Sequence, residues 1–189
     1  MIKNIVQHIE QILHVKPFCL VAIDGGGGAG KTTLANVLNT KFLACSVVHM
    51  DDFYLPRLKR PIVKSIASDY DVSRLKVQVL EPLINKKIAR YERYDWELDN
   101  LVECHEVIPS GLIVIEGCYS MCEALSQYYD LTIFVKTNDT QRLIRGIERD
   151  GEDKVSFWLA WMEDEASYFE SQNPEEKADY VIKGDKAYE

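Results

Sequence analysis

Apolar residues in this chain follow two rhythms. In residues 1–14, Ile2, Ile5, Val6, Ile9, Ile12 and Leu13 recur at helical spacing, which predicts an amphipathic helix packed on a core. Pro17 then separates it from residues 18–23, a short unbroken apolar run. Similar runs occupy 45–50, 112–117, 131–135 and 179–182, the second of these ending in a carboxylate and a glycine. Runs this short without polar alternation suit strands buried on both faces. Between them, helical spacing predicts helices over 33–39, 72–84, 121–128, 140–149 and 154–170. Ser73 is the expected N-cap of the 72–84 helix, and the 154–170 helix gathers Trp158, Trp161, Met162, Glu165 and Phe169 on one side. Residues 88–108 read as two extended segments with a turn at Asp99-Asn100.

Strands alternating with helices predict an α/β fold, a parallel sheet covered on both faces, in one domain spanning 1–189. Ligands of such sheets bind beyond the carboxyl ends of the strands. That rule draws together Asp24–Thr32, then Asp51, Asp52 and Tyr54, then Glu116, and the region after Val135. Residues 51–72 form a long loop that Pro56 and Pro61 keep out of regular pairing, and Arg57, Lys59, Arg60 and Lys64 make it basic.

Composition narrows the function classes. The formal net charge is −8, so nothing draws the chain as a whole to nucleic acid or to an anionic membrane. The five cysteines lack metal-site spacing and read as reduced thiols, and the four histidines form no metal motif. No apolar run approaches the length that spans a bilayer, and residues 1–14 do not resemble a secretion signal. A cytoplasmic protein without nucleic-acid or membrane partners is expected. The exposed face of the 88–108 hairpin is a candidate surface for self-association into a homo-oligomer.

The glycine-rich stretch after the first strand carries the sharpest signal. Gly25, Gly26, Gly27, Gly28, Ala29, Gly30, Lys31, Thr32 and Thr33 fit G-x-x-x-x-G-K-[ST], in the strand–loop–helix context that a phosphate-binding loop requires. Glycines let successive N–H groups curl toward a phosphate, and the helix that follows adds its positive end. Lys31 can reach the outer phosphates of a nucleoside triphosphate, and the Thr32 hydroxyl can ligate Mg²⁺.

Further groups converge on this loop. Asp51 can accept the proton of an attacking hydroxyl or hold Mg²⁺ through water. Glu116 closes an apolar strand, where an unused carboxylate would be costly, and is a candidate support for the metal. Arg142, Arg145 and Arg149 lie at i, i+3 and i+7 on one helix face. They suit the charge of a transferring phosphoryl group, or else form a solvated stripe paired with Asp139, Glu148 and Asp150. Tyr91, Tyr94 and Trp96 suit either stacking on a planar ring or cross-strand core packing.

The phosphate loop followed by Met50-Asp51-Asp52-Phe53-Tyr54 resembles the uridine kinase branch of the P-loop kinases, which includes phosphoribulokinase and bacterial pantothenate kinase. The 90–96 segment with Tyr94-Asp95, the Ile115-Glu116-Gly117 strand end and the Arg142–Arg149 helix follow in that family's order. The resemblance implies a three-layer P-loop fold with a five-stranded parallel sheet, the loop strand central, plus a small β-hairpin and a lid near 142–155. It implies ATP and Mg²⁺ as cofactors, and a kinase that phosphorylates a small acceptor such as a nucleoside. Position by position, Lys31 would act on the phosphates and Asp51 would be the base. Asp52, Tyr54, Tyr94 and Trp96 would contact the acceptor, Thr32, Asp51 and Glu116 would support the metal, and the three arginines would form the lid. The family's Asp-His-Pro element is replaced by Ser68-Asp69-Tyr70-Asp71, which leaves Asp69 or Asp71 as the ribose ligand. A base-reading histidine beyond Tyr94 is also replaced, in Glu97-Leu98-Asp99, so the acceptor stays open among nucleosides, pantothenate and sugar or ribulose phosphates.

Overall fold

The computed structural model describes residues 1–184. Helix α1 (Ile2–Val15) leads into strand β1 (Phe18–Asp24), helix α2 (Lys31–Asn39) and strand β2 (Cys45–His49). After a long irregular segment come α3 (Val72–Leu75), a π-helical stretch (Lys76–Leu80) and α4 (Glu81–Ile84). Hairpin strands β3 (Ala89–Asp95) and β4 (Asn100–Val107) follow, then β5 (Gly111–Glu116) and β6 (Leu131–Lys136). Helices α5 (Asp139–Asp150), α6 (Val155–Gln172) and α7 (Pro174–Lys177) precede the last strand, β7 (Tyr180–Lys183).

The main sheet is parallel, in the order β2-β5-β1-β6-β7, so the strand feeding the glycine loop is central. Its apolar strands are buried on both sides. Cys19, Val21 and Ile23 of β1, with Leu112 and Val114 of β5, pack with Ile5 and Ile9 of α1 and Leu34 and Leu38 of α2. The alternate residues Leu20, Ile113 and Ile115 join Leu75, Val79, Leu80, Leu83 and Tyr168 on the opposite face. Each such aliphatic side chain contributes about 1.5–3 kcal/mol by leaving water, which secures the sheet whose ends carry the site. Among the described residues, no helix is long and apolar enough to cross a membrane.

Several local expectations are corrected. The 72–84 helix is capped by Asp71, whose carboxylate accepts the Arg74 N–H at 2.9 Å, and not by Ser73. Its middle widens into a π turn ahead of Pro82, which has no N–H for the Gln78 carbonyl and whose ring would crowd that group. No helix covers 121–128; there is one 3₁₀ turn, Ser126–Tyr128. The chain before it is held otherwise, because Tyr119 takes φ +69° and the Tyr119 and Met121 N–H groups donate to Asp24. The hairpin turn lies at residues 96–99, so Asn100 already belongs to β4 and Trp96 lies outside β3. Helix α7 had no counterpart in the sequence reading. The expected domain runs to 189, and its last five residues lie outside the described ones.

Candidate active site

Asp24, the last residue of β1, is wholly buried and ties the loop to its surroundings. It accepts hydrogen bonds from Gly25 N–H (2.6 Å), Met121 N–H (2.8 Å), Tyr119 N–H (3.2 Å) and the Tyr168 hydroxyl (2.8 Å). Burial pushes its pKa up to about 6, against the pull of those donors and of Lys31. Beyond it the loop curls over to α2, and the buried Lys31 ammonium donates to Gly26 O at 2.9 Å. Gly28 sits at φ +72°, and a Cβ there would stand 2.6 Å from the Arg142 carbonyl oxygen. At Gly27 a Cβ would come within 2.8 Å of the Trp158 ring. The run of glycines thus lets α5 and α6 press directly on the loop.

That contact has a polar centre. Arg142 and Glu165, each almost wholly buried, form an ion pair between α5 and α6. Glu165 Oε1 accepts the Gly27 N–H at 2.7 Å, while Arg142 Nε donates to Gly27 O at 2.9 Å. Arg142 Nη1 donates to Asp139 at 2.8 Å. All three guanidinium nitrogens of Arg142 are therefore engaged with protein, and both peptide groups of Gly27 are held. This corrects the expectation that Arg142 stands over the phosphates as part of a lid: in this arrangement it braces the loop from behind. Arg145 donates to Gly28 O (3.1 Å) and Gly184 O (3.0 Å) and lines the cavity. Arg149, paired with Asp150 at 2.7 Å, also lines it.

The strand ends β2 and β5 bring a second cluster to the loop. Thr32 Oγ1 donates to Glu116 Oε1 at 3.0 Å, and His49 Nδ1 lies 2.6 Å from the same oxygen. Burial alone would raise the Glu116 pKa, but the His49 contact, Lys31 and Thr32 together bring it below the ordinary value. His49 is raised in turn, chiefly by its hydrogen bond to Glu116. Asp51 stands at the cavity floor, where burial and then Glu116 raise its pKa while Lys31 and Arg149 oppose. The hydroxyl of Tyr70 is 3.5 Å from it.

These groups open into one cavity of about 1110 Å³ that runs from Gly27–Thr33 past Asp51 and Glu116 to an aromatic wall. Tyr54 and Trp96 form that wall, their ring centroids 4.4 Å apart and inclined at 33°, and Trp161 of α6 completes it. Asp69 lines the cavity, taking the Tyr54 hydroxyl at 3.3 Å and pairing with Lys64.

Three expected acceptor contacts are absent from the lining. Asp71 is spent as the α3 cap. Asp52 turns into the core and accepts the Tyr91 hydroxyl at 3.1 Å. Tyr94 is buried beneath the wall, donating to Asp99 at 2.7 Å and accepting from Arg60 at 3.0 Å. His49, Trp158 and Glu165 carry no site role in the sequence pattern, and Asp24 enters it only as the strand end that begins the loop. Glu165 had a signal, a carboxylate within an apolar helix stripe; His49, on a strand end beside two aspartates, had none until its partner came into view.

The donor set suits a Mg²⁺–triphosphate rather than a metal caged by protein alone. Among the described residues no three His, Cys, Asp or Glu side chains form a metal-binding group. Magnesium characteristically takes one or two protein oxygens and completes its shell from phosphates and water. Thr32 and Glu116, in contact at the foot of the phosphate loop, match that habit.

The sheet order, the central glycine loop and the strand-end carboxylates together define a P-loop kinase. The chain matches the Phosphoribulokinase / Uridine kinase family over residues 20–156 and belongs to that family. It is 31% identical over 164 residues to a uridine kinase of Mycoplasma genitalium, which covers 80% of this chain and 77% of that one. A uridine kinase of Mycoplasma pneumoniae is 29% identical over 185 residues, covering 90% and 87%. Among solved structures, "a Possible Uridine Kinase from Bacillus stearothermophilus" superposes with a TM-score of 0.69 at 23% identity, over 96% of this chain and 98% of that one, a likeness of fold.

Proposed function

We propose that this kinase transfers the γ-phosphoryl group of ATP to the 5′-hydroxyl of a nucleoside of the uridine or cytidine kind, in the cytoplasm. The observation that carries the reading is the position of Asp51, on the floor of one cavity between the phosphate loop and the aromatic wall. A base there receives the acceptor's proton as its oxygen attacks. Lys31 and the loop N–H groups hold and neutralise the phosphates, and Arg145 and Arg149 face them from α5. Thr32 and Glu116 would hold Mg²⁺, with Asp51 near enough to act through a water. The metal, when bound, neutralises charge that builds on the phosphate oxygens. Trp96, exposed on the wall, offers its ring to a planar base, Tyr54 backs it with the Arg60 guanidinium over its own ring, and Asp69 offers a carboxylate to the ribose hydroxyls. The uridine kinase relatives point to the same acceptor class.

A coupled ADP-release assay over nucleosides, pantothenate and sugar or ribulose phosphates tests this. A rate that rises with an added nucleoside is the expected outcome. ATP hydrolysis that ignores every acceptor would instead identify a nucleotide-hydrolysing switch and overturn the proposal.

A further inference from the structure

We propose that His49 is a positioning residue for the metal site: its hydrogen bond fixes the Glu116 carboxylate, and through it the Thr32 hydroxyl, in the orientation that receives the magnesium of Mg²⁺–ATP. The inference rests on the kinase reading above and adds to it a residue outside the cavity lining.

The sheet itself brings the pair together. His49 ends β2, Glu116 ends β5, and the two are register partners in the parallel pairing. On its other side Glu116 is in register with Ile23 of β1, whose side chain has no donor. Strand β2 is the outermost of the sheet, so His49 closes the row from the edge. Its Nδ1 lies 2.6 Å from Glu116 Oε1, shorter than an ordinary N–H···O bond and in the manner of a charge-assisted one. A carboxylate only accepts, so Nδ1 carries the proton and donates. Thr32 Oγ1 donates to the same oxygen at 3.0 Å. A strand end and the first turn of α2 thus grip one oxygen of an almost wholly buried carboxylate.

The consequence for a metal is geometric. With its hydrogen committed to Glu116, the Thr32 hydroxyl has only lone pairs left to offer. Among the described residues both donors to Glu116 take Oε1, which leaves Oε2 for the metal or for a water of its shell. Magnesium tolerates little departure from octahedral geometry, so ligands fixed beforehand bind it better than ligands ordered on its arrival. Partners that orient a ligating group in this way typically carry about ten- to hundredfold in metal affinity. The His49 side chain is itself 43% exposed, so truncating it removes the hydrogen bond more than it removes packing.

Calorimetry of ATP binding without acceptor, repeated across Mg²⁺ concentrations, tests this in the wild type, His49→Ala, His49→Leu and His49→Asn. Ala removes ring and donor, Leu keeps bulk without a donor, and Asn restores an amide N–H close to where Nδ1 stands. The Mg²⁺ concentration that half-saturates the gain in ATP affinity should rise about ten- to hundredfold in the Ala and Leu variants. It should return most of the way to the wild-type value in Asn, with metal-free ATP affinity unchanged throughout. Turnover lost in the Ala variant should be recovered by excess Mg²⁺. An unfolded Ala variant leaves Leu against Asn as the deciding comparison. A half-saturating concentration unmoved in Leu, or an Asn variant as impaired as Leu, overturns the inference. So does a loss of metal-free ATP binding, which would make His49 a general support of the loop. Each of those outcomes leaves the kinase reading standing, whereas wild-type ATP binding indifferent to Mg²⁺ would overturn the metal site of that reading together with the inference.

Discussion

Two aspartates in this site have opposite tasks, one opening on the cavity and the other closed into the fold. Asp51 faces the cavity with the Tyr70 hydroxyl 3.5 Å away, so its carboxylate remains available to an incoming hydroxyl. Replacing it with Asn should lower kcat by roughly two to four orders of magnitude while ATP binding, measured by calorimetry, stays close to normal. A collapse of ATP affinity would instead make Asp51 a metal support first. Because desolvation at the cavity floor and Glu116 raise its pKa, the rate should decline on acidification at a higher pH than an ordinary aspartate would impose. Asp24 is wholly buried outside the cavity lining and holds three peptide N–H groups and one hydroxyl. Its pKa of about 6 lies above the ordinary 3.8, so the folded chain retains a proton there that the unfolded chain has lost. The stability tied to that proton is fully present below about pH 4 and is gone once the pH passes 6. The shift corresponds to about 3 kcal/mol. Denaturation of wild type and Asp24→Asn between pH 4 and 7 should therefore show a difference that moves in favour of Asn as the pH rises; a flat difference would contradict the assignment.

At the scale of elements, α5 and α6 act on the phosphate loop through one buried ion pair. Arg142 and Glu165 are 23 residues apart, yet they clamp the two peptide groups of the same glycine. Removing one partner leaves the other charge buried and uncompensated, which typically costs about 3–5 kcal/mol. Glu165→Ala should lower the melting temperature markedly, and the Arg142→Ala, Glu165→Ala pair should lose much less than the sum of the single losses; strict additivity would argue against the clamp. This clamp also marks where sequence reasoning runs out. The strands were readable because burial on both faces writes an unbroken apolar run, and the glycine loop because its spacing is fixed by the phosphate it serves. Helical periodicity shows that Arg142, Arg145 and Arg149 share a face and cannot show what covers it, so it leaves both a phosphate-facing stripe and a solvated one paired with Asp139, Glu148 and Asp150 open; only the family resemblance implies a lid, and Arg142 in fact pairs with Asp139 and Glu165. Asp52, Asp71 and Tyr94 erred for a related reason. Asp52 and Asp71 adjoin Asp51 and Tyr70, which do line the cavity, and adjacent side chains in a tight turn point apart; Tyr94 belongs to β3 whereas Trp96 lies in the turn beyond it, so the strand's alternation does not carry across.

For the molecule as a whole, the basic groups at the cavity, Lys31, Arg145, Arg149 and Lys154, stand in a chain of net charge −8. Nucleotide affinity must then come from local groups, the loop N–H groups, Lys31, the α5 arginines and the metal, since the distant field opposes a polyanion. Magnesium should matter more than in a basic protein, because it removes about half of the ligand's charge before the encounter. Any ligand that binds the folded state alone stabilises it, by about 2.7 kcal/mol at one hundred times its dissociation constant. For a domain of this size that corresponds to a rise of roughly 5–10 °C in melting temperature. ATP with Mg²⁺ should produce such a rise in a thermal-shift measurement, ATP with excess chelator a much smaller one, and Lys31→Ala almost none under either condition. Equal shifts with and without the metal would remove Thr32 and Glu116 from the nucleotide site. A full shift in the Lys31→Ala variant would move the triphosphate away from the glycine loop altogether.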